Sequence, residues 1–294
     1  NVCVTKMSDL SLKNSIAYCN CFNSYAKDDN IFLEKTSICK KIEDFKLVMF
    51  RPDPPVDMNY ITATYVFDFV DEKKTFVINN PKSVRNFNEK LHTNLFLNLM
   101  PKNIVTANKN EIKEFLQENE EIILKPLNQC FGGGVMHLKK GDMNTNSIIT
   151  TMTQDQTVQI MVQKYIPLAK HGDKRVMFLG ETVLDECVIK LPTSDDFKFN
   201  VHNLEMDYVK KTALSDKEKE DFSEVAKELN KMGIYMVGLD VIDGKIIETN
   251  VTSPCYFINE VNKYFSIHLE KRITDYILET TKSHFNKFLV SSTH

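Results

Sequence analysis

Glycine is scarce in this chain: nine residues of 294, about 3% where roughly 7% is usual. That excludes collagen-like and flexible-linker readings. It also implies that the surviving glycines stand where the backbone needs them. Three of the nine are consecutive, Gly132, Gly133 and Gly134. No apolar run approaches the eighteen or so residues of a membrane span. The N-terminus NVCVTKMSDL has neither an initiator Met nor the apolar core of a signal peptide, which reads as a fragment or truncated frame. The seven cysteines include no C-x-x-C pair. Cys19-x-Cys21 is too close for a zinc knuckle, and the pattern fits reduced cytosolic thiols. The seven histidines show neither HExxH nor HxH spacing, so a His-based metal site is not expected. Excess positive charge is lacking as well: 37 Lys and Arg face 40 Asp and Glu, which argues against a nucleic-acid partner.

What is present is ordinary globular material, 42% hydrophobic and 26% charged, enough for two domains. FKLVMF (45–50) reads as a buried strand halted by Arg51-Pro52-Asp53-Pro54-Pro55. A helix over 60–71 and a strand over 75–79 follow, a strand–helix–strand rhythm. Residues 88–99 read as a helix, 104–107 as a strand and 109–117 as a helix. Glu121-Ile-Ile-Leu-Lys125 is a strand that ends by delivering a lysine to the glycine turn, with 135–138 and 158–166 as further strands. A hairpin is expected through Gly180-Glu181, then a long loop over 195–211. Ser215-x-x-Glu218 is a capping box that opens a helix to about Met232. Residues 235–251 form a hairpin about Asp243-Gly244, a pair suited to a type I′ turn. Helices over 259–264 and 266–286 close the chain.

Four constellations carry chemistry. Lys125 with Gly132–Gly134 could cradle phosphates through backbone N–H groups and an ammonium, or be a plain hairpin turn beside a surface lysine. Asp240 on one hairpin strand faces the span of Glu248 and Asn250 on the other, and strand alternation puts Glu248 and Asn250 on one face. Two carboxylates and an amide oxygen are hard donors of the kind Mg²⁺ takes; a polar solvent face gives the same pattern. Gly172-Asp173-Lys174-Arg175 enters a strand, where the arginine could pair with phosphate or simply mark a charged turn. Arg51 stands at the C-terminal end of its strand, the usual ligand side of an α/β sheet, or is a solvent-facing residue of a rigid turn.

The order of these motifs says more than any one of them. Asn88-Glu89-Lys90-Leu91, Ile-Ile-Leu-Lys125-Pro-Leu, the glycine loop, Gln163-Lys164-Tyr165-Ile166-Pro167, Gly-Asp-Lys-Arg175-Val, Gly238-Leu-Asp240 and Glu248-Thr-Asn250-Val-Thr252-Ser253-Pro254 together resemble the ATP-grasp ligases. Within them, Arg51-Pro-Asp-Pro-Pro and Glu-Thr-Asn-Val-Thr-Ser-Pro are similar to the bacterial-type glutathione synthetase family. The resemblance runs to about Glu279. It implies a mixed α/β chain with an ATP-grasp fold over 87–290, split into a lid subdomain (about 100–166) and a catalytic and metal subdomain (about 167–290). An incomplete Rossmann-like substrate domain over 1–86 would precede it.

The family joins γ-glutamylcysteine to glycine with ATP and two Mg²⁺ ions, Mn²⁺ being a substitute. For this chain the resemblance implies that Lys90, Lys125 and Gly132–Gly134 hold the ATP phosphates. Gln163, Lys164, Tyr165 and Ile166 flank adenine, and Asp173 orients the site. Arg175 lies beside the transferred phosphate, and Asp240, Glu248 and Asn250 hold the metal ions. Arg51, Lys190, Lys198, Asn200, Thr252 and Ser253 would meet the dipeptide or glycine, with Arg175, Lys190 and Asn200 the catalytic set. It further implies a cytoplasmic homo-oligomer, a tetramer in the family, with small-molecule partners and neither nucleic acid nor membrane.

Three departures stand out. The family chain begins with a strand and helix, on the order of thirty to forty residues, that this sequence lacks. Lys190 stands where the family has arginine, losing the bidentate fork. Residues 193–214 contain no glycine, where the family's covering loop is glycine-rich, and Asp195, Asp196, Glu205 and Asp207 add negative charge there. Two other readings therefore stand beside the first: a ligase with a different amino-acid acceptor or carboxylate donor, and a non-catalytic ATP-binding relic.

Overall fold

The computed structural model describes residues 2–28, 30–130, 132–192, 208–254 and 257–291. Its contacts divide the chain into two units: Asn1–Asn86 with Met232–Ile234 and Glu270–His294, and Phe87–Lys231 with Tyr235–Leu269. The segment 270–290, read from the sequence as the end of the second domain, falls in the first unit.

The first unit begins with five strands: β1 (Val2–Val4), β2 (Leu10–Lys13), β3 (Ile16–Lys27), β4 (Asn30–Leu33) and β5 (Ile38–Lys41). The long β3 pairs antiparallel with all four others. Its odd-numbered residues Ala17, Cys19 and Cys21 are buried, the period of two that one-sided burial demands. Two of the cysteines thus serve as small core residues, and burial pushes the Cys19 thiol up to about 12. Next come β6 (Leu47–Met49), α1 (Met58–Val66), β7 (Phe76–Ile78) and α2 (Pro81–Arg85). The β6 and β7 strands pair in parallel with α1 between them, the expected strand–helix–strand unit. Phe50 packs edge-on against Tyr60 and Phe67, with centroids 5.3 and 5.2 Å apart. Asp57 caps α1 by accepting from the Asn59 and Tyr60 amides. Of the incomplete Rossmann-like sheet expected over 1–86, the described residues show one parallel strand pair. Residues 2–41 are spent on antiparallel ribbons.

The second unit holds two sheets. The first contains β8 (Asn103–Thr106), β9 (Glu121–Pro126), β10 (Met136–Lys139) and β11 (Ile160–Lys164), in the order β10-β9-β11-β8 and antiparallel throughout. Helices α3 (Lys109–Asn119) and α4 (Thr145–Met152) belong to this part of the chain. Ile122, Leu124, Leu138, Ile160 and Val162 share one core with Ile112, Phe115, Leu116 and Ile149 of the two helices. Alternation therefore sends Ile123, Lys125, His137, Met161 and Gln163 to the opposite face.

The second sheet contains β12 (Asp173–Leu179), β13 (Thr182–Val183), β14 (Cys187–Lys190), β15 (Val209–Thr212), β16 (Met236–Ile242) and β17 (Lys245–Asn250). Its order is β15-β14-β12-β16-β17, with β13 paired to β12. Part of the expected loop over 195–211 is thus strand: β15 pairs with β14. Helix α5 (Asp216–Lys231) starts at the expected capping box, Glu218 accepting from the Ser215 amide (2.8 Å) and hydroxyl (3.1 Å). Two helices follow, α6 (Ile258–Phe265) and α7 (Leu269–Ser291). Residues 91–99, expected to be α-helical, form a 3₁₀ segment kinked at Phe96. The Asn88 side chain accepts from the Lys90 and Leu91 amides, and such side-chain bonding competes with a regular helix start.

Candidate functional site

The register of the second sheet gathers the expected charges. Asp173 lies opposite Lys190, and Arg175 opposite both Val188 and Asp240. Asp240 in turn lies opposite Glu248, and Gly238 opposite Asn250. Side chains directly opposed across a ladder share a face. Lys190, Asp173, Arg175, Asp240, Glu248 and Asn250 therefore occupy one face of four adjacent strands.

Their contacts form a network. The Lys190 ammonium lies 2.9 Å from Asp173 Oδ2 and 3.3 Å from Asp240 Oδ1. Arg175 Nε is 3.3 Å from Asp240 Oδ1, and Asn250 Nδ2 donates to Asp240 Oδ2 at 3.1 Å. All four charged groups are nearly sealed from water. Burial acts against ionisation of Asp240, but Arg175, Lys190 and Asn250 outweigh it and hold its carboxyl below the ordinary range. For Asp173 burial wins, with the Asp240 charge adding to it against the pull of Lys190, and its carboxyl rises to about 6. Lys190 stays firmly protonated, because its two carboxylates overcome the burial that would neutralise it.

Two lysines come from other elements. Lys90 donates to Glu248 Oε1 (2.8 Å) and to the Gln129 carbonyl (2.7 Å) just before the glycine turn. Lys125, at the end of β9, donates to the Ile247 carbonyl at 3.3 Å. That carbonyl is available because the β16–β17 ladder bulges: Asp240 pairs with Glu248 but Val241 with Ile246, leaving 247 unpaired. Burial draws the Lys125 ammonium down to about 8. In the turn, Gly133 N–H donates to the Cys130 carbonyl and Val135 N–H to that of Gly132. Gln163 is buried with Nε2 lacking a protein partner, and Tyr165 stacks on His137 at 4.4 Å. Lys164 closes β11, and Ile166 precedes a short 3₁₀ turn over 167–171.

Two glycines make the network possible. At Gly172, φ is +108°, and a Cβ would strike the Lys190 carbonyl, so only glycine brings Asp173 under Lys190. A Cβ on Gly238 would fall 2.8 Å from Arg175 Nη1. Gly238→Ala should displace the guanidinium from Asp240 and lower kcat by about 10²-fold while the chain still folds. Steady-state kinetics beside a melting curve checks this; an unchanged kcat contradicts it.

Some expected residues lie apart. Lys198 and Asn200 fall outside the described residues. Arg51 belongs to the first unit, half-buried, its Nε without a hydrogen-bond partner in the protein. The Thr252 hydroxyl donates to Glu89 Oε1 at 3.1 Å, and Ser253 is half-buried beside it in the chain. Glu89 itself was not among the expected site residues. The only hint in the sequence was its position between Asn88 and Lys90.

The donor set can be weighed against a divalent cation. Among the described residues no three His, Cys, Asp or Glu side chains gather into an all-protein cage. Two carboxylates and one amide do converge, and that is the incomplete set Mg²⁺ takes when water and phosphate supply its other ligands. Asp173 Oδ1 and Arg175 Nη1 are buried without hydrogen-bond partners in the protein. A polyphosphate with its metal would answer both kinds of unmet demand, so the residues fit.

Comparison with known proteins places the chain in a family. The sequence model described as "Prokaryotic glutathione synthetase, ATP-grasp domain" matches residues 89–266, and that described as "Prokaryotic glutathione synthetase, N-terminal domain" matches residues 1–85. Glutathione synthetase of Nostoc sp. is 38% identical over 80% of this chain and 72% of its own length. That of Escherichia coli (strain K12) is 33% identical over 80% of this chain and 74% of its own. Among solved structures, D-cycloserine synthetase DcsG shares the fold with a TM-score of 0.59 at 15% identity, over 79% of this chain and 85% of its own. D-alanyl-alanine synthetase A from Vibrio cholerae does so with a TM-score of 0.57 at 9% identity, over 92% of this chain and 87% of its own. The fold is that of the ATP-grasp enzymes, and the chain belongs to the prokaryotic glutathione synthetase family of ligases.

Proposed function

We propose that this chain joins γ-glutamylcysteine to glycine through an acyl phosphate, using ATP and two Mg²⁺ ions that Mn²⁺ can replace. The observation that carries this reading is the single face bearing Lys190, Asp173, Arg175, Asp240, Glu248 and Asn250, with Lys90 and Lys125 converging on Glu248 and its neighbour Ile247. In-line phosphoryl transfer asks a protein mainly for positioning and for neutralisation of charge on the phosphates. Bound divalent cations would supply Lewis-acid stabilisation of those oxygens.

The protein's own groups do the rest. Lys90 and Lys125 offer ammonium groups to the phosphates, and the Gly132–Gly134 turn offers backbone N–H groups. Asp240, Glu248 and Asn250 supply the oxygen donors for the cations. Arg175, held by Asp240, presents its guanidinium to the transferred phosphoryl group. An oxygen of the cysteinyl carboxylate attacks the γ-phosphorus and ADP leaves. The glycine amine then attacks the acyl carbon, the amide forms, the amine gives up a proton, and phosphate departs with that carboxylate oxygen.

Gln163 to Ile166 would flank the base; Arg51, Lys190, Lys198, Asn200, Thr252 and Ser253 are assigned to the two amino-acid substrates, and Arg175, Lys190 and Asn200 to catalysis. The domain assignment is a substrate domain over 1–86 followed by the ATP-grasp domain. No helix among the described residues is long and apolar enough to cross a membrane. The described cysteines are free thiols, which supports a reducing, cytoplasmic setting. A homo-oligomer working on small molecules alone completes the reading.

The test is isotopic. With ¹⁸O in the cysteinyl carboxylate, one label should appear in the released phosphate for each glutathione formed; product without label transfer overturns the acyl-phosphate route. One observation favours a second reading. The segment 193–214 has no glycine and carries four acidic residues, which suits a changed acceptor. Ligation faster with another amino acid than with glycine would establish that reading instead.

A further inference from the structure

The strand that carries Glu248 and Asn250 is an edge. Among the described residues β17 pairs with β16 alone, and no other described strand receives its outward N–H groups. A single residue does that work. The Glu89 carbonyl accepts from Thr249 N–H at 3.0 Å. Its carboxylate Oε1 then accepts from Val251 N–H (2.8 Å), Thr252 N–H (3.0 Å) and the Thr252 hydroxyl (3.1 Å). Asn250 is thus bracketed on both sides by the main chain and side chain of one glutamate. Thr93 adds to the bracket, its hydroxyl within 2.7 Å of the Glu89 carbonyl and 3.0 Å of the Thr249 hydroxyl. The neighbouring Lys90 holds Glu248 itself.

We propose that Glu89 is a positioning residue. It substitutes for the missing neighbour strand of β17, fixes the backbone of Asn250, and so sets the direction of the amide and carboxylate offered to the cation and of the turn into Thr252 and Ser253. The inference rests on the Mg²⁺–ATP reading of the site. Its physical basis is that strand ends without partners fray, and that three donors of the strand's end converge on one oxygen of Glu89. A frayed Asn250 would lose the geometry a small, octahedral cation demands.

Two variants of the full chain separate positioning from mere structure. All three carboxylate bonds converge on Oε1, so the amide oxygen of Glu89→Gln can receive the same donors, whereas Glu89→Ala leaves them without an acceptor. The readout is calorimetric titration of a non-hydrolysable ATP analogue at graded Mg²⁺. Alanine should raise the Mg²⁺ concentration for half-maximal binding by about tenfold or more. Nucleotide affinity without metal should move less than about threefold, and glutamine should restore the unaltered response to within about threefold. If the alanine protein does not fold, Glu89→Asp, one methylene shorter, is read the same way.

An unchanged Mg²⁺ requirement in the alanine or aspartate variant overturns the proposal. So does failure of glutamine to rescue, or a parallel loss of metal-free binding. Absence of any Mg²⁺ effect in the unaltered chain overturns it together with the metal assignment. Glutathione formation is followed separately: an unaltered chain that binds Mg²⁺–ATP but makes no glutathione refutes the ligation reading while the titration still decides the role of Glu89.

Discussion

Glu248→Ala should abolish Mg²⁺-dependent ATP turnover, with a loss of about 10³-fold or more. The size follows from two roles that meet on one carboxylate. Glu248 faces Asp240 across the ladder as half of the anionic donor pair, and it holds the Lys90 ammonium at 2.8 Å. Alanine removes a proposed ligand and leaves Lys90, whose side chain is 8% exposed, without the carboxylate it bonds. The loss of that pair should lower stability by about 3 kcal/mol, so the chain folds but melts earlier. Glu248→Gln separates the roles. The amide oxygen can still receive Lys90, so most of the stability should return, whereas the missing negative charge should leave turnover impaired. Turnover within tenfold of the unaltered chain in the alanine variant would sink the metal assignment.

Lys190→Met should be the most destabilising single change in the second unit, at about 3–5 kcal/mol. Methionine fills similar space, but it strips the cation from between Asp173 and Asp240, both buried. Arg175 alone would then face two carboxylates. The pH dependence has a definite sign. The folded-state value for Asp173, about 6, lies above the ordinary aspartate value near 4. Between these values the native chain binds more protons at this residue than the unfolded chain does. Its contribution to stability is therefore fully present at the acid end of the window and falls as pH rises through it, levelling off above about pH 6. Without Lys190 the carboxyl moves higher still, and the decline should extend toward neutrality. Denaturant melts of both proteins from pH 4 to 8 check this. Parallel curves would contradict the role given to Lys190. Lys190→Arg keeps the charge and restores the fork: stability should hold, and if a substrate carboxylate shares this group the dipeptide KM should fall while the ATP KM stays put.

The β16–β17 hairpin was legible in the sequence because its signals agree: Asp243-Gly244 fixes the turn, and alternation then places Asp240 across from Glu248. Ser215 and Glu218 announced α5 in the same local way. The bulge at 247, which gives Lys125 its carbonyl, has no sequence mark, because it arises where the two strands' lengths must be reconciled. Glu89 escaped notice for a related reason. Its role is to satisfy an edge strand some 160 residues away in the chain, and long-range pairing leaves no local pattern. The antiparallel ribbon over residues 2–41 has no strong alternation to announce it: its buried positions are only Ala17 and the cysteines Cys19 and Cys21, which read as free thiols before they read as core. Helix α4 is rich in Thr and Ile, whose propensity argues for strand, and burial of Ile149 in a shared core overrides that preference.

One measurement bears most directly on the central claim. The chain is mixed with Mg²⁺, ATP, γ-glutamylcysteine and glycine, and ADP, phosphate and glutathione are quantified together, with single omissions as controls. The account predicts the three products in equal amounts, none without Mg²⁺, and no glutathione without glycine. ADP release that ignores both amino-acid substrates, or no ADP at all with every component present, would contradict it.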